Sequence, residues 1–192
     1  MAGKPVGGAL KASGTARGRF AAPVVHMRAD GGGLYYDAYS LGSLSLDLKM
    51  PSDAPGYLPF ALTGTLSQPR LNNPQVEALI GETVSLRAEG VFDPTRRLLR
   101  LTGTEIATAS ARVNAFGDVD LANGLLDVQY FLDASDLSVA QGLAGKTLAG
   151  AARVNGRVTG ALSDPSTAGR LTGRDLVYDT YRVTTITAKA RR

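Results

Sequence analysis

Few side chains in this sequence could take part in chemistry. The 192 residues include no Cys, which excludes disulfide frameworks, thiolate zinc sites and cysteine nucleophiles. They include a single His, His26. His26 lies beside Val25 and Met27, a context typical of a packed or surface histidine. One His formally allows a Ser-His-Asp triad, but no nucleophile-elbow motif accompanies it. We therefore assign no catalytic role to His26.

Four aspartates and a glycine run are the other candidates for chemistry. Asp118 and Asp120 share one face of a predicted strand, where they could act as general acid and base or bind calcium. No calcium-loop pattern surrounds them, so exposed carboxylates beside a hairpin are the favoured interpretation. Asp133 and Asp136 are interpreted as turn and helix-cap residues. Gly31-Gly32-Gly33 predicts a loop that lacks the Lys and Ser/Thr of a phosphate-binding loop.

These observations predict a chain with no catalytic residues, no metal site and no cofactor, so we expect a protein that is not an enzyme. A small enzyme on a β-sandwich is the least favoured alternative, for want of convergent polar groups. The net charge of +4 is modest, and the cations are scattered among acids without a basic stripe. We therefore expect no nucleic-acid partner. The 44% of hydrophobic residues exclude intrinsic disorder.

The elements that would position these residues are β-strands, because apolar and polar residues alternate with a period of two along most of the chain. Residues 93–95, together with Asn123-Gly124, supply turn signals, and the second predicts a tight type I′ hairpin. Each alternating run predicts a strand with one apolar face. The residues expected to line a shared hydrophobic groove are Leu44, Leu46, Leu48, Phe60, Leu62, Leu66, Val84, Leu86, Phe92, Leu126, Val128, Tyr130, Leu132, Val154 and Val158.

Two short segments have helical character. Asn73 can cap a turn or two of helix, with Pro74 at the first helical position and Gly81 as the stop signal. The second candidate spans about 136–143 and is again followed by a glycine. The sequence thus predicts an all-β protein with one or two short helices.

An internal repeat occurs without gaps at an offset of 142 residues. The matching positions include Gly14 and Gly156, Gly18 and Gly160, Pro23 and Pro165, Tyr36 and Tyr178, and Tyr39 and Tyr181. Such recurrence predicts stacked β-modules, with repeat units at about 9–50 and 151–192 and a middle section at 51–150. We expect the chain to be one segment of a longer β-repeat array.

The sequence pattern of the repeat is clearest in residues 154–165, 169–173 and 176–179, and again in residues 101–121. It resembles the repeats of the TamB family, which belongs to the translocation and assembly module and to the wider AsmA-like group. The resemblance implies an elongated, curved antiparallel sheet shaped like a taco or gutter, with an apolar concave face.

The resemblance also implies a function in outer-membrane biogenesis. The parent protein would stand in the periplasm, anchored in the inner membrane and reaching the outer one. It would serve outer-membrane protein or autotransporter assembly and secretion, phospholipid transport, or both. The implied partners are phospholipid acyl chains or unfolded outer-membrane protein strands. The outer-membrane barrel component of the assembly module would dock on parts of the parent outside this chain.

The residues themselves favour a groove on physical grounds. A sheet with one strongly apolar face must cover that face or use it, and this chain has almost no helix to form a second layer. Gly14 and Gly156 lie at strand positions that share a face with the apolar residues. Such glycines are expected to keep the groove, or trough, open or tightly curled. The alternative is a structural β-solenoid or adhesin-like repeat whose apolar face is a filled core without a transport role.

Overall fold

Eleven antiparallel strands form one open sheet in the computed structural model of the chain, which describes residues 5–19, 22–51 and 56–191. The strands lie in the sheet in chain order, so β1 and β11 form its two edges. The all-β curved sheet predicted from the sequence is confirmed. The strands are β1 (Val6–Arg19), β2 (Ala22–Tyr36), β3 (Tyr39–Met50), β4 (Leu58–Arg70), β5 (Thr83–Asp93), β6 (Leu98–Ala107), β7 (Ala111–Asp120), β8 (Leu125–Ala134), β9 (Leu148–Ala161), β10 (Asp164–Tyr178) and β11 (Tyr181–Arg191).

The sheet departs from a regular ladder at several points. Register shifts interrupt the pairing in β1 between Gly7 and Ala9 and in β6 between Leu101 and Thr104. Another lies in β10 between Arg174 and Val177. Extra residues of this kind bend a strand and increase its local twist. These are therefore points at which the sheet can curve.

The first helix, α1 (Pro74–Ile80), follows β4 and matches the predicted signals. The Asn73 side chain accepts hydrogen bonds from the backbone N–H groups of Gln75 (3.1 Å) and Val76 (3.2 Å). At the other end, the N–H of Gly81 donates to the Glu77 carbonyl at 2.7 Å, with Gly81 at φ 76°. The capping residue and the glycine stop are confirmed.

The second helical segment follows β8 and consists of a 3₁₀ turn, Leu137–Ala140, and α2, Gln141–Ala144. The Asp136 carboxylate caps it by accepting from the Ser138 N–H at 2.8 Å, and Gly145 ends it in the left-handed conformation. The 3₁₀ turn contacts α1 and β9, so both helical segments gather at one end of the sheet. No helix among the described residues is long and apolar enough to cross a membrane.

The hairpin after β7 is wider than predicted. Asp120 pairs with Leu125, which leaves a four-residue loop where Asn123-Gly124 predicted a two-residue type I′ turn. The Asp120 carboxylate accepts the backbone N–H groups of Ala122 and Asn123, both at 2.9 Å. This side-chain cap stabilises the longer loop, and Gly124 closes it at φ 64°.

The loop predicted at the glycine run is also wrong. Gly31 and Gly32 lie inside β2, opposite Leu44 and Ser43, and do not form a loop. Only Gly33 departs from extended geometry, at φ 56°. Cross-strand hydrogen bonding on both sides of β2 therefore overrides the local turn preference of the glycines.

The backbone repeats with the same offset as the sequence. β1, β2 and β3 begin at residues 6, 22 and 39, and β9, β10 and β11 begin 142 residues later, at 148, 164 and 181. The Asp37 N–H donates to the Pro5 carbonyl and the Asp179 N–H to the Thr147 carbonyl, each at 2.8 Å. The structural repeat thus begins slightly before the predicted units. Residues 20–21 of the first unit and 192 of the second lie outside the described residues.

Candidate functional site: the apolar face of the sheet

The register brings all fifteen predicted groove residues to one side of the sheet, called here the apolar face. Directly opposite residues of antiparallel strands share a face, and these residues fall into rows that cross the strands. Each of the fifteen side chains is partly buried. One row runs through Leu46, Gly64, Leu86, Ile106, Val113, Leu132 and Val154, and another through Phe60, Gly90, Leu101, Gly117, Val128 and Val158.

Several other residues of the apolar face were not predicted from the sequence. Leu99 and Leu101 reach the apolar face from β6, as do Thr104 and Ile106, although the two pairs have opposite parity. The register shift between Leu101 and Thr104 switches the parity within the strand, so the alternation is hidden. Val113 in β7 follows a regular alternation that could have identified it.

At several positions the glycines of the apolar face do not keep the trough open, which is the first of the two effects expected of them. A side chain from a neighbouring strand lies over several of them. An added Cβ at Gly156 would come within 2.6 Å of the Tyr130 ring, and at Gly64 within 2.5 Å of Leu46. At Gly90 it would meet the Phe60 ring at 2.9 Å. The glycines therefore let large neighbours lie flat against the sheet and smooth the apolar face.

The described residues form no second layer over most of the apolar face. Among the described residues, only Leu58 (8% exposed) and Ala88 (9% exposed) are buried apolar side chains. The accessible surface is 12512 Å². A compact monomer of 20.0 kDa would expose about 8,700 Å². The excess is what an open single-layer sheet gives.

The opposite side of the sheet, the polar face, carries ion pairs between strands. Arg100 binds Asp118 through two hydrogen bonds of 2.8 and 3.2 Å. Other largely exposed pairs on this face also join neighbouring strands, namely Arg112 with Glu105, Arg153 with Asp133, and Arg157 with Asp127. Arg28 with Asp30 and Arg87 with Glu89 are pairs within a single strand. Exposed pairs of this kind contribute little each, but they keep this face wetted.

The same contacts lower several carboxyl pKa values. The pKa of Asp127 is lowered mainly by the hydrogen bond from Arg157. The pKa of Asp47 is lowered mainly by the hydrogen bond from His26. In both cases a donor stabilises the ionised carboxylate. These shifts favour permanently charged carboxylates, which suit a solvated face better than proton transfer near neutral pH.

The residues considered for chemistry are dispersed over this polar face and its turns. His26 Nε2 lies 2.8 Å from Asp47 Oδ2. Asp118 pairs with Arg100, and Asp120 caps the β7–β8 loop, which accounts for both. Asp133 is not a turn residue: it lies in β8 and contacts Arg153 at 2.6 Å. Among the described residues, no three His, Asp or Glu side chains gather so as to hold a metal ion.

The chain was compared with protein-family models, curated proteins and solved structures, and no match was found in any of the three.

Proposed function

We propose that the chain is a non-catalytic groove segment that holds phospholipid acyl chains along its apolar face. The observation that carries this proposal is the continuity of that face. Rows of Leu, Val, Phe and Tyr cross successive strands, while the helical segments sit at one end only. An exposed apolar surface of this extent marks a binding surface.

Acyl chains suit this surface better than a polar ligand does. Burial of apolar area gains about 25 cal/mol per Å² without requiring hydrogen bonds, so one row of side chains is nearly equivalent to the next. Within a row, neighbouring side chains lie on strands that are roughly 4.8 Å apart. A chain held in this way can shift along the face without breaking a specific contact.

The biological setting of the proposal rests on the resemblance to TamB-like repeats. In that setting the segment works in the periplasm as part of an inner-membrane-anchored protein, in outer-membrane biogenesis beside a barrel component. Unfolded outer-membrane protein strands are the second cargo in that setting. The alternative of a filled-core structural repeat needs a cover for the apolar face, and the described residues provide none beyond the helical segments at one end.

Neighbouring residues of opposite parity provide a matched test. The full chain is incubated with phosphatidylethanolamine vesicles, and the lipid that stays bound is measured by native mass spectrometry. We expect Leu86→Asp and Val128→Asp to reduce the amount of bound lipid. The controls Ser85→Asp and Gln129→Asp introduce the same charge on the polar face of the same strands and should leave binding unchanged. Equal binding by all four variants would refute the proposal.

A second measurement avoids the risk that a buried charge unfolds the chain. A photoreactive phenylalanine derivative replaces Val128 in one protein and Gln129 in another, and each is irradiated with the same vesicles. We expect lipid adducts from position 128 and almost none from position 129. Adducts from both positions in equal yield, or only from 129, would show that lipid does not lie on the apolar face.

A further inference from the structure

A pair of exposed aromatic rings stands on the polar face of the sheet, among charged and hydroxyl-bearing side chains. Phe116 and Phe131 stack with their ring centroids 6.0 Å apart and 19° between the ring planes. The two residues are 38% and 45% exposed. The apolar groove does not use these rings, because they lie on the other side of the sheet. They therefore need a separate explanation.

Two amide side chains flank the exposed ring. Phe131 lies directly between Asn114 of β7 and Asn155 of β9. Neither side-chain amide forms a hydrogen bond with another described residue. The same row continues through Arg170 in β10 to Lys189 in β11. Because neighbouring strands are roughly 4.8 Å apart, this amide–aromatic row is about 19 Å long.

A hollow of about 430 Å³ opens beside the Phe131 ring on the polar face. Its polar walls are formed by Asn114, Asp133, Arg153, Asn155, Thr172 and Arg174. Asp133 accepts a hydrogen bond from Arg153 at 2.6 Å, so the hollow retains the positive charge of Arg174. Its volume is in the usual range for small-molecule sites, about 300–1,000 Å³.

Three cations at the end of the row have no acidic partner. Arg170, Arg174 and Lys189 are exposed and form no ion pair with another described residue. Arg170 faces Lys189 directly, and like charges in facing positions destabilise a strand pair. Strand β10 is paired on both sides, and no residue that faces its two arginines is acidic. The acidic residues of β9–β11 are Asp164, at the start of β10, and Asp175, in its register shift.

The other copy of the internal repeat shows that this charge pattern is not imposed by the strands themselves. In the first copy Arg28 donates a hydrogen bond to Asp30 at 3.0 Å, and Asp47 follows on the next strand. The positions equivalent to Asp30 and Asp47 in the second copy are Thr172 and Lys189. The first copy thus neutralises its own cations, whereas the second copy leaves them available to an anion.

We propose that the polar face of β7–β11 binds an acidic oligosaccharide along the amide–aromatic row. The positively polarised C–H groups of a sugar ring stack on the electron-rich face of Phe131. The amides of Asn114 and Asn155 both donate to and accept from its hydroxyl groups. Arg170 and Arg174 bind carboxylates of the saccharide through charge-assisted hydrogen bonds. The inference concerns the polar face and stands independently of the acyl chains proposed for the apolar face.

The combination of groups favours a saccharide over other anions. A nucleic-acid strand is held by successive aromatic platforms along a basic groove, whereas the polar face offers one stack followed by amides. An acidic peptide would use the cations but not the sugar-sized hollow beside the ring. A neutral saccharide would leave the three cations unpaired. The ring, the amides and the cations are used together by a carbohydrate that bears carboxylates.

Three probes of equal length test the ligand class by isothermal titration calorimetry on the full chain. Hexagalacturonate carries sugar rings and carboxylates, maltohexaose carries sugar rings alone, and hexaglutamate carries carboxylates alone. We expect hexagalacturonate to bind and the other two to bind at least about tenfold more weakly. Equal binding of hexaglutamate would overturn the proposal in favour of an acidic peptide. Equal binding of maltohexaose would remove the cations from it, and no binding of hexagalacturonate would refute it.

Substitutions on the polar face test the assigned residues. We expect Phe131→Ala and Arg170→Gln each to weaken hexagalacturonate binding about tenfold, and Phe131→Tyr to retain it. The matched control is Arg28→Gln, which removes the equivalent arginine of the first repeat copy and should leave binding unchanged. Loss of binding in Arg170→Gln but not in Phe131→Ala would show a non-specific cationic surface and overturn the proposal. Equal effects of Arg28→Gln and Arg170→Gln would also contradict it.

Discussion

At the scale of single residues, Thr104 places a polar hydroxyl group on the apolar face. Its side chain lies between strands β5 and β7, and its Oγ1 is buried without a hydrogen-bond partner among the described residues. A buried, unpaired hydroxyl costs free energy that a methyl group of similar shape does not. We expect Thr104→Val to raise the free energy of unfolding by about 1 kcal/mol in urea denaturation. Thr102→Val, exposed in the same strand, should change it little, and an equal gain would contradict this explanation.

The ion pair between Arg157 and Asp127 makes a prediction about pH. Because the folded-state pKa of Asp127 lies below the ordinary value of 3.8, the pair contributes to stability above that pH, and the contribution is lost as pH falls through the lowered pKa. We expect Arg157→Gln to return the Asp127 pKa towards 3.8 in a carboxyl NMR titration. Asp136, whose lowered pKa arises from Ser138, is the internal control and should not move.

At the scale of elements, the β8–β9 pair depends on a glycine covered by an aromatic ring. An added Cβ at Gly156 would lie 2.6 Å from the Tyr130 ring and 2.5 Å from the Ala168 carbonyl oxygen. We expect Gly156→Ala to lower the free energy of unfolding by about 1–3 kcal/mol, because the ring and the backbone must both shift. Gly103→Ala is the control, since nothing lies within 4 Å of the new methyl group. Equal stability of the two variants in thermal denaturation would show that the ring over Gly156 moves aside freely.

At the scale of the whole molecule, a sheet in chain order has no contacts that tie one edge to the other among the described strands. Stability in such a molecule is close to a sum of neighbour terms, so the edges open before the centre. We expect Ile186→Asp, on the apolar face of β11, to remove hydrogen-exchange protection from β11 and reduce it in β10. Protection in β5–β7 should persist. Thr187→Asp, on the polar face, is the control, and loss of protection throughout the sheet would indicate one cooperative globule.

The architecture was largely predictable because its signals are local. The alternation of Leu44, Leu46 and Leu48 with polar residues follows from the geometry of one strand, whatever strand lies beside it. The helix cap at Asn73 likewise depends on a few neighbouring residues. The loop predicted at Asn123-Gly124 was wrong because the Asp120 carboxylate binds two backbone N–H groups and stabilises a longer connection. The turn preference of the Asn123-Gly124 pair does not take account of that contact.

The sequence by itself determined the strand class, the faces of the regular strands and the 142-residue repeat, because each follows from residue order along one segment. Only the tertiary structure decided which residues meet. It set the parity switch between Leu101 and Thr104, and the placement of Tyr130 over Gly156. It also left most of the apolar face of the described strands without a second layer. These features depend on pairing between strands, where a shift of one residue would turn every side chain to the other face.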